Sequence, residues 1–430
     1  MKHNDFTAFD HLPNPFRTLS VKAFVPWPDI LPSAVARVEQ IEQSLRGSLK
    51  HEMPSFLRYS MNYPAIFREK TVPRLKELYS QQFRDELQAV VIVGTGGNAI
   101  HAEIFQPLSP VPVIIADAPH PEIMGQIYEL DRNRSVIVYQ SRSGDTGEVN
   151  LLYDLFTNPR SGTPVFPHSL VLASKGRIYD AARRDGVPVI ELPLDIAGRT
   201  MVNTDIVGVP FYLSKLLGET GSDLFNTVAR IFQAHIDAPR DLAWWIPTFS
   251  YASQVQGFTN TWIAPYDPDA ARAGYLANQL FNEGRGQFGN KALSHMRVGP
   301  RAQHETGQRI RGGAPDHFTL FLKVQNFRLP DLIVTASDSS YCGLSGGDFI
   351  RINCEAYANA LTLSRLPHMT IELPSIAIEP LAELDALLLL WAWWECSYLG
   401  TGYDKNPDVD AAKIEANRLA AELREKRSQI

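Results

Sequence analysis

From residue 88 onward the chain alternates short β-branched runs with turn residues and then with apolar positions at helical spacing. Gln88-Ala89-Val90-Val91-Ile92-Val93 carries no charge and suits a central strand of a parallel sheet. The stretches 112–116, 135–140, 169–173 and 187–191 read as further short strands, each followed by turn residues. Residues 149–156 place their apolar side chains as one face of a helix would. Strands alternating with helices predict a right-handed, doubly wound, mainly parallel α/β sheet. Residues 206–217 read as the helix that closes this unit, and 224–235 as a connecting helix.

A second alternating region follows. Residues 261–266 read as a strand, 270–282 as a helix, 317–324 as a strongly apolar strand, 355–364 as a helix and 368–373 as another strand. Residues 1–85 look mostly helical after an entry rich in proline (Pro13, Pro15, Pro26, Pro28, Pro32). Val35, Val38, Ile41 and Leu45 recur there at helical spacing, and Leu75 and Leu78 suggest another helix. The tail 411–426 is alanine- and charge-rich, with apolar spacing suited to a docked helix. The expected organisation is two tandem αβα units with helical N- and C-terminal extensions. Their boundaries fall at 1–85, 86–222, 223–400 and 401–430.

Composition narrows the classes. The 430 residues are 44% hydrophobic and 20% charged, as in an ordinary globular protein of two or three packed units. A net charge of -6 without a basic stripe argues against nucleic acid as a partner. Cys342, Cys354 and Cys396 show no C-x-x-C spacing, which predicts a reducing compartment and no structural zinc. No apolar stretch reaches 18 residues, so no membrane span is expected. Residues 387–394 are strongly apolar, but Glu383, Asp385 and Glu395 bracket them, and a buried helix is expected instead. The N-terminus lacks an apolar signal core, so the cytoplasm is the default location.

Two turns at strand ends carry candidate chemistry. Ser141-Arg142-Ser143-Gly144-Asp145-Thr146-Gly147-Glu148 joins a strand to a helix. Its three hydroxyls, backbone N–H groups and helix dipole would converge on an anion such as a sugar phosphate, although the same residues also suit an ordinary helix cap. One strand earlier lies Gly94-Thr95-Gly96-Gly97-Asn98, where missing Cβ atoms let the backbone approach a ligand. Its spacing is not G-x-G-x-x-G, since position 99 is Ala, and no Gly-Lys-Ser/Thr follows as in a P-loop. A small phosphorylated ligand fits two such turns better than NAD or ATP.

Four further segments offer titratable or cationic groups. Glu283 ends a helix just before Gly284 and Gly286, and could equally be a solvated C-cap carboxylate. His304 stands among polar residues before a buried strand, where a surface-loop histidine is the plainer alternative. Gly198-Arg199 lies in a loop after a strand, where most arginines are merely solvated. Lys413 follows Pro407-Asp408-Val409-Asp410 at the start of the last helix and could be surface charge.

In combination and in order, these motifs resemble the glucose-6-phosphate isomerase family, whose fold is two sugar-isomerase (SIS-type) domains. The resemblance runs from about residue 85 to Lys413. It is carried by the glycine turn at 94–97, the Ser-x-Ser-Gly-x-Thr-x-Glu turn at 141–148, Gly198-Arg199, Ala264-Pro265-Tyr266 and Gln279-Leu280-Phe281-Asn282-Glu283. Gln303-His304 with Gln308 and Gly312, and Pro407-x-Val409-Asp410-x-x-Lys413, complete it. The resemblance implies Glu283 as the base that moves a proton between C2 and C1 of a sugar, and His304 as the shuttle of the ring-opening proton. It also implies Lys413 at the ring oxygen and Arg199 against negative charge on O1 and O2. Gly96, Gly97, Asn98, Ser141, Arg142, Ser143, Thr146, Gly198, Gln279 and Asn406 would bind substrate or its anion. No metal and no cofactor are implied, and a homodimer in which the His304 loop completes the partner's site is expected.

Three positions depart from the family pattern. Glu305 stands where a serine usually follows the histidine, Asn406 replaces a glutamine, and Arg142 replaces a common lysine. An arginine can grip an anion with two parallel bonds where lysine acts as a point charge. The default expectation is therefore an isomerase of a hexose with an anion at C6, glucose 6-phosphate first, with sulfoquinovose, a C6 sulfonate, as the variant. The rival from another class is a non-catalytic sugar-phosphate sensor, which would not need Glu283, His304 and Lys413 together.

Overall fold

The computed structural model describes residues 12–26, 31–49, 53–162, 165–238, 240–287, 290, 292–404 and 409–428. Among the described residues, ten strands form two sheets. They are β1 (Ser20–Phe24), β2 (Ala89–Val93), β3 (Val113–Ala116), β4 (Ser135–Gln140), β5 (Ser169–Leu172), β6 (Val189–Ile190), β7 (Asn260–Pro265), β8 (Ser294–Met296), β9 (His317–Asn326) and β10 (His368–Ser375). The first sheet has the order β3-β2-β4-β5-β6, parallel throughout. The second has the order β1-β10-β9-β7-β8, with β1 antiparallel at its edge and the rest parallel.

The two sheets repeat one topology. The chain leaves β2 to one side for β3 and returns on the other side for β4; it leaves β7 for β8 and returns for β9 in the same way. Each sheet thus reverses direction at its first parallel strand, and in such sheets ligands sit beyond the carboxyl ends of the strands at that reversal. Every residue of β2 and β4 is buried, which explains their uncharged, β-branched composition.

Several elements differ from the sequence reading. The proline-rich entry contributes β1, whose five residues pair with β10 from Ser20↔Glu372 to Phe24↔His368. Its burial is weak and its Lys22 faces solvent, so its pattern is faint. The three-residue strand β8 has no counterpart in the expected pattern, and only Val189 and Ile190 of the 187–191 run are strand. His304 lies on a helix, Arg301–Gly312, not in a loop.

Residues 387–394 do form a buried helix, and it extends over Ile378–Leu399. The bracketing acids are buried with it, each satisfied by a partner. Glu383 accepts the backbone N–H groups of Arg17 and Thr18 at 2.7 and 2.9 Å, Asp385 faces His101, and Glu395 accepts from Arg285 Nε at 2.6 Å. Buried charge persists only where it is paired in this way.

The last helix, Val409–Ser428, is not docked against the rest of the chain among the described residues. Its described side chains are exposed except for half-buried Ala421, and Ile414, Leu419 and Leu423 all face solvent. Its apolar stripe is thin, and Arg418 bridges to Glu415 and Glu422 along its charged surface. Among the described residues, no helix is long and apolar enough to cross a membrane.

Candidate active site

Sterics at the first glycine turn set the site's frame. Gly96–Asn98 follows β2, with Gly96 at φ +53°, where a side chain would strain the backbone. A Cβ on Gly97 would lie 2.3 Å from the backbone nitrogen of Arg199. Only glycine lets this turn press against the second turn, Gly198–Thr200. Asn98 faces Gly198, and its buried Oδ1 has no hydrogen-bond partner among the described residues.

Arg199 is buried, and its guanidinium reaches the second half of the molecule. Nη1 donates to Glu283 Oε2 at 2.6 Å, and Nη2 to the Gly402 carbonyl at 3.4 Å. Glu283 belongs to the helix Ala270–Arg285, whose start is closed by Asp267 Oδ1 accepting from the N–H groups of Asp269 and Ala270. The helix runs three residues beyond the expected 282, which seats Glu283 in its last turn rather than past its end. One turn earlier, Gln279 donates through Nε2 to Glu283 Oε1 at 2.7 Å. The carboxylate is thereby held at both oxygens, with 20% of its side chain still open to solvent.

The second anion-suited turn is internally braced. The Ser141 and Thr146 hydroxyls lie 2.9 Å apart, and Ser141 Oγ also accepts the Gly144 N–H at 3.1 Å. Gly144, at φ +75°, packs so tightly on the turn at Lys175–Gly176 that an added Cβ would collide with the Lys175 carbonyl. Thr146 is the N-cap of the helix Gly147–Thr157, yet no side chain caps that helix, so the hydroxyls are not engaged as an ordinary cap. Ser143 is exposed, and its Oγ accepts from the Asp145 N–H at 3.3 Å. Arg142 Nη1 donates to the Ile196 carbonyl at 3.0 Å, which ties this turn to the segment leading into Gly198 and Arg199.

The structure therefore brings together Gly96, Gly97, Asn98, Gly198, Arg199, Gln279 and Glu283, and links Ser141, Arg142, Ser143 and Thr146 to them through Ile196. His304 does not join them. It is exposed on the helix Arg301–Gly312, with no hydrogen bond or ion pair among the described residues. Its neighbour Gln303 points inward instead, to the Tyr266 hydroxyl and the Asn353 carbonyl. Asn406 and the side chain of Lys413 lie outside the described residues. Among those described, no three His, Cys, Asp or Glu side chains are arranged to hold a metal ion.

Sequence reasoning assigns nothing to three residues that frame this arrangement. Gln287 donates through Nε2 to the carbonyls of Glu283 and Gly402 and accepts the Gly402 N–H at 3.1 Å. It lies one turn beyond Glu283, the only available signal. His101 and Asp385, both fully buried, meet behind Arg199. A histidine directly after the glycine turn is the hint there.

No protein-family model matches the chain. Over 345 residues it is 21% identical to the glucose-6-phosphate isomerase of Mycoplasma mycoides subsp. mycoides SC, spanning 74% of this chain and 78% of that protein. The enzyme of the same name from Mycoplasma capricolum subsp. capricolum is 22% identical over 353 residues, with the same coverage. Among solved structures, a glucose-6-phosphate isomerase from Chlamydia trachomatis superposes with a TM-score of 0.69 at 18% identity, covering 83% of this chain and 74% of that one. The chain has the fold of glucose-6-phosphate isomerase. A hypothetical protein from Thermus thermophilus shares this fold over its whole length, with a TM-score of 0.73 at 17% identity and 94% of this chain covered. Sequence relatives and architecture thus support the resemblance to the glucose-6-phosphate isomerase family.

Proposed function

We propose that the protein is an aldose–ketose isomerase acting on a hexose with an anionic group at C6, glucose 6-phosphate and fructose 6-phosphate being the default pair. The observation that carries this reading is the 2.6 Å contact between Arg199, held beside the glycine turn at the carboxyl end of β2, and Glu283. A carboxylate there has a positioned cation at hand and an anion-suited turn tethered to the same segment. The names of the sequence relatives point to the same chemistry.

In this reading the turn at 141–146 holds the C6 anion. Lys413 and His304 open the ring, Glu283 takes the C2 proton, and an enediolate forms. Arg199 stabilises the charge on O1 and O2. Glu283 then returns the proton to C1 while the O2 hydroxyl proton passes to O1, so no net proton is consumed. His304 is exposed on its own chain, which suits a homodimer in which it completes the neighbouring copy's site. A fully active monomer in sedimentation at assay concentration would contradict that arrangement.

The test is incubation of the protein with glucose 6-phosphate, mannose 6-phosphate and sulfoquinovose in parallel in D₂O. Exchange of the C2 hydrogen in one of them, with appearance of the ketose, is expected. Binding without exchange in all three would make the protein a sensor and remove the isomerase reading.

A further inference from the structure

We propose that His101, clamped by Asp385, is a positioning residue that fixes where Arg199 stands against Glu283, an inference that rests on the isomerase reading above. His101 sits on the short helix Ile100–Phe105, directly after the Gly96–Asn98 turn. Its Nδ1 lies 2.9 Å from Asp385 Oδ2 and 3.1 Å from Oδ1. Its Nε2 lies 2.9 Å from the Arg199 carbonyl oxygen. Both His101 and Asp385 are wholly shielded from solvent.

The hydrogen-bond roles follow from the partners. A backbone carbonyl only accepts, so Nε2 carries a hydrogen and donates it to Arg199. The carboxylate at Nδ1 fixes the ring's plane, as a carboxylate behind a histidine does in many sites. Burial pulls the imidazole's pKa down, but the charge and hydrogen bond of Asp385, with the Arg199 carbonyl, outweigh it and leave the pKa raised.

The geometry has a consequence for catalysis. Asp385 belongs to the central buried helix Ile378–Leu399, which packs against both Ile100–Phe105 and Ala270–Arg285, the helix of Glu283. One rigid element therefore references the Arg199 backbone and the base together. Donors aimed at developing charge act through such preorganisation, and a shift of about 1 Å is worth on the order of a hundredfold in rate.

The test uses the full-length chain with His101→Leu and His101→Gln. Hydrogen–deuterium exchange over 197–201 reads the hold on the turn without reference to activity. Roughly tenfold faster exchange is expected in the Leu variant, with β2 unchanged. The Gln variant, whose amide can donate to the same carbonyl, recovers most of the protection. On the sugar found active, kcat per folded molecule should fall about ten- to a hundredfold in the Leu variant with KM within about threefold, and recover in the Gln variant. Should the Leu variant not fold, Asp385→Asn keeps the shape while weakening the clamp and is read the same way. Unchanged exchange at 197–201, or a kcat loss matched by an equal loss of folded protein, overturns the inference. A wild-type chain that isomerises no sugar removes the isomerase reading, while the exchange still decides whether His101 holds the turn.

Discussion

Replacing Glu283 by glutamine separates chemistry from architecture in this site. Glutamine has the same shape, and its carbonyl oxygen can still accept from Arg199 Nη1, as Glu283 Oε2 does at 2.6 Å. Its amide would face Gln279, whose own amide can turn to offer an oxygen in place of the N–H it now donates at 2.7 Å. The lost element is the charge, and with it the proton-accepting power. A charge-assisted bond exceeds a neutral one by about 1 kcal/mol, and Arg199 keeps the glutamine oxygen and the Gly402 carbonyl as acceptors. That corresponds to a fall in Tm of only a few degrees. Loss of a general base lowers turnover about 10²–10⁴-fold, roughly 3–5 kcal/mol of barrier. The assay pairs a thermal melt with the rate of C2-hydrogen exchange in D₂O. A glutamine variant that keeps more than half the wild-type exchange rate would refute the assignment of Glu283. A variant that loses activity only because it no longer melts cooperatively would refute the structural part of the reasoning.

Gly97→Ala should lower kcat about a hundredfold, because its Cβ would sit 2.3 Å from the Arg199 nitrogen and drive the two turns apart; wild-type kinetics would show that the turns need not touch. Thr146→Ala and Ser143→Ala should raise KM about ten- to a hundredfold with kcat little changed, since contacts to a distant anion are alike in ground and transition states. Unchanged KM in both, for every sugar tested, would place the anion elsewhere. His368 is buried beside Phe24, and burial pulls its pKa down to about 4. The unfolded chain protonates this ring near pH 6.5 while the folded chain does not, so stability should fall by up to about 3 kcal/mol as pH drops from about 6.5 towards 4. Urea unfolding of His368→Phe should show a flatter dependence over that window, and an unchanged slope would reject the assignment.

What the sequence makes legible follows from how locally each feature is encoded. The strands β2 and β4 are buried at every position, so their apolar runs announce them, and the glycine turn after β2 is written in adjacent residues. β1 escapes detection because an edge strand with Lys22 in its middle carries no clear alternation. The helix Arg301–Gly312 resembles a loop in sequence because only Ala302, Gly307 and Ile310 of its residues are buried, too few for a stripe. The partners of the buried acids are beyond reach for a different reason. Glu395 meets Arg285 from 110 positions away and Asp385 meets His101 from 284, distances over which spacing holds no information. The nearness of Arg199 to Glu283, 84 positions apart, is likewise implied only by family resemblance.

The pairing of these two residues also bears on how one carboxylate could serve a reaction that passes through an anion. In the free site Arg199 donates to the Glu283 carboxylate at 2.6 Å. Were Glu283 to take a proton from C2, as proposed, its negative charge would vanish and an equal charge would appear on the enediolate oxygens. A guanidinium within reach of both has several donors and exchanges one anion for the other without leaving its buried seat. In the proposed reaction the cation would keep an anionic partner throughout, first Glu283 and then the enediolate. That balance requires the guanidinium to lie between base and substrate rather than follow either. The close packing of Gly97, the buried setting of Arg199 and its tie to Gly402 all restrain it beside Glu283.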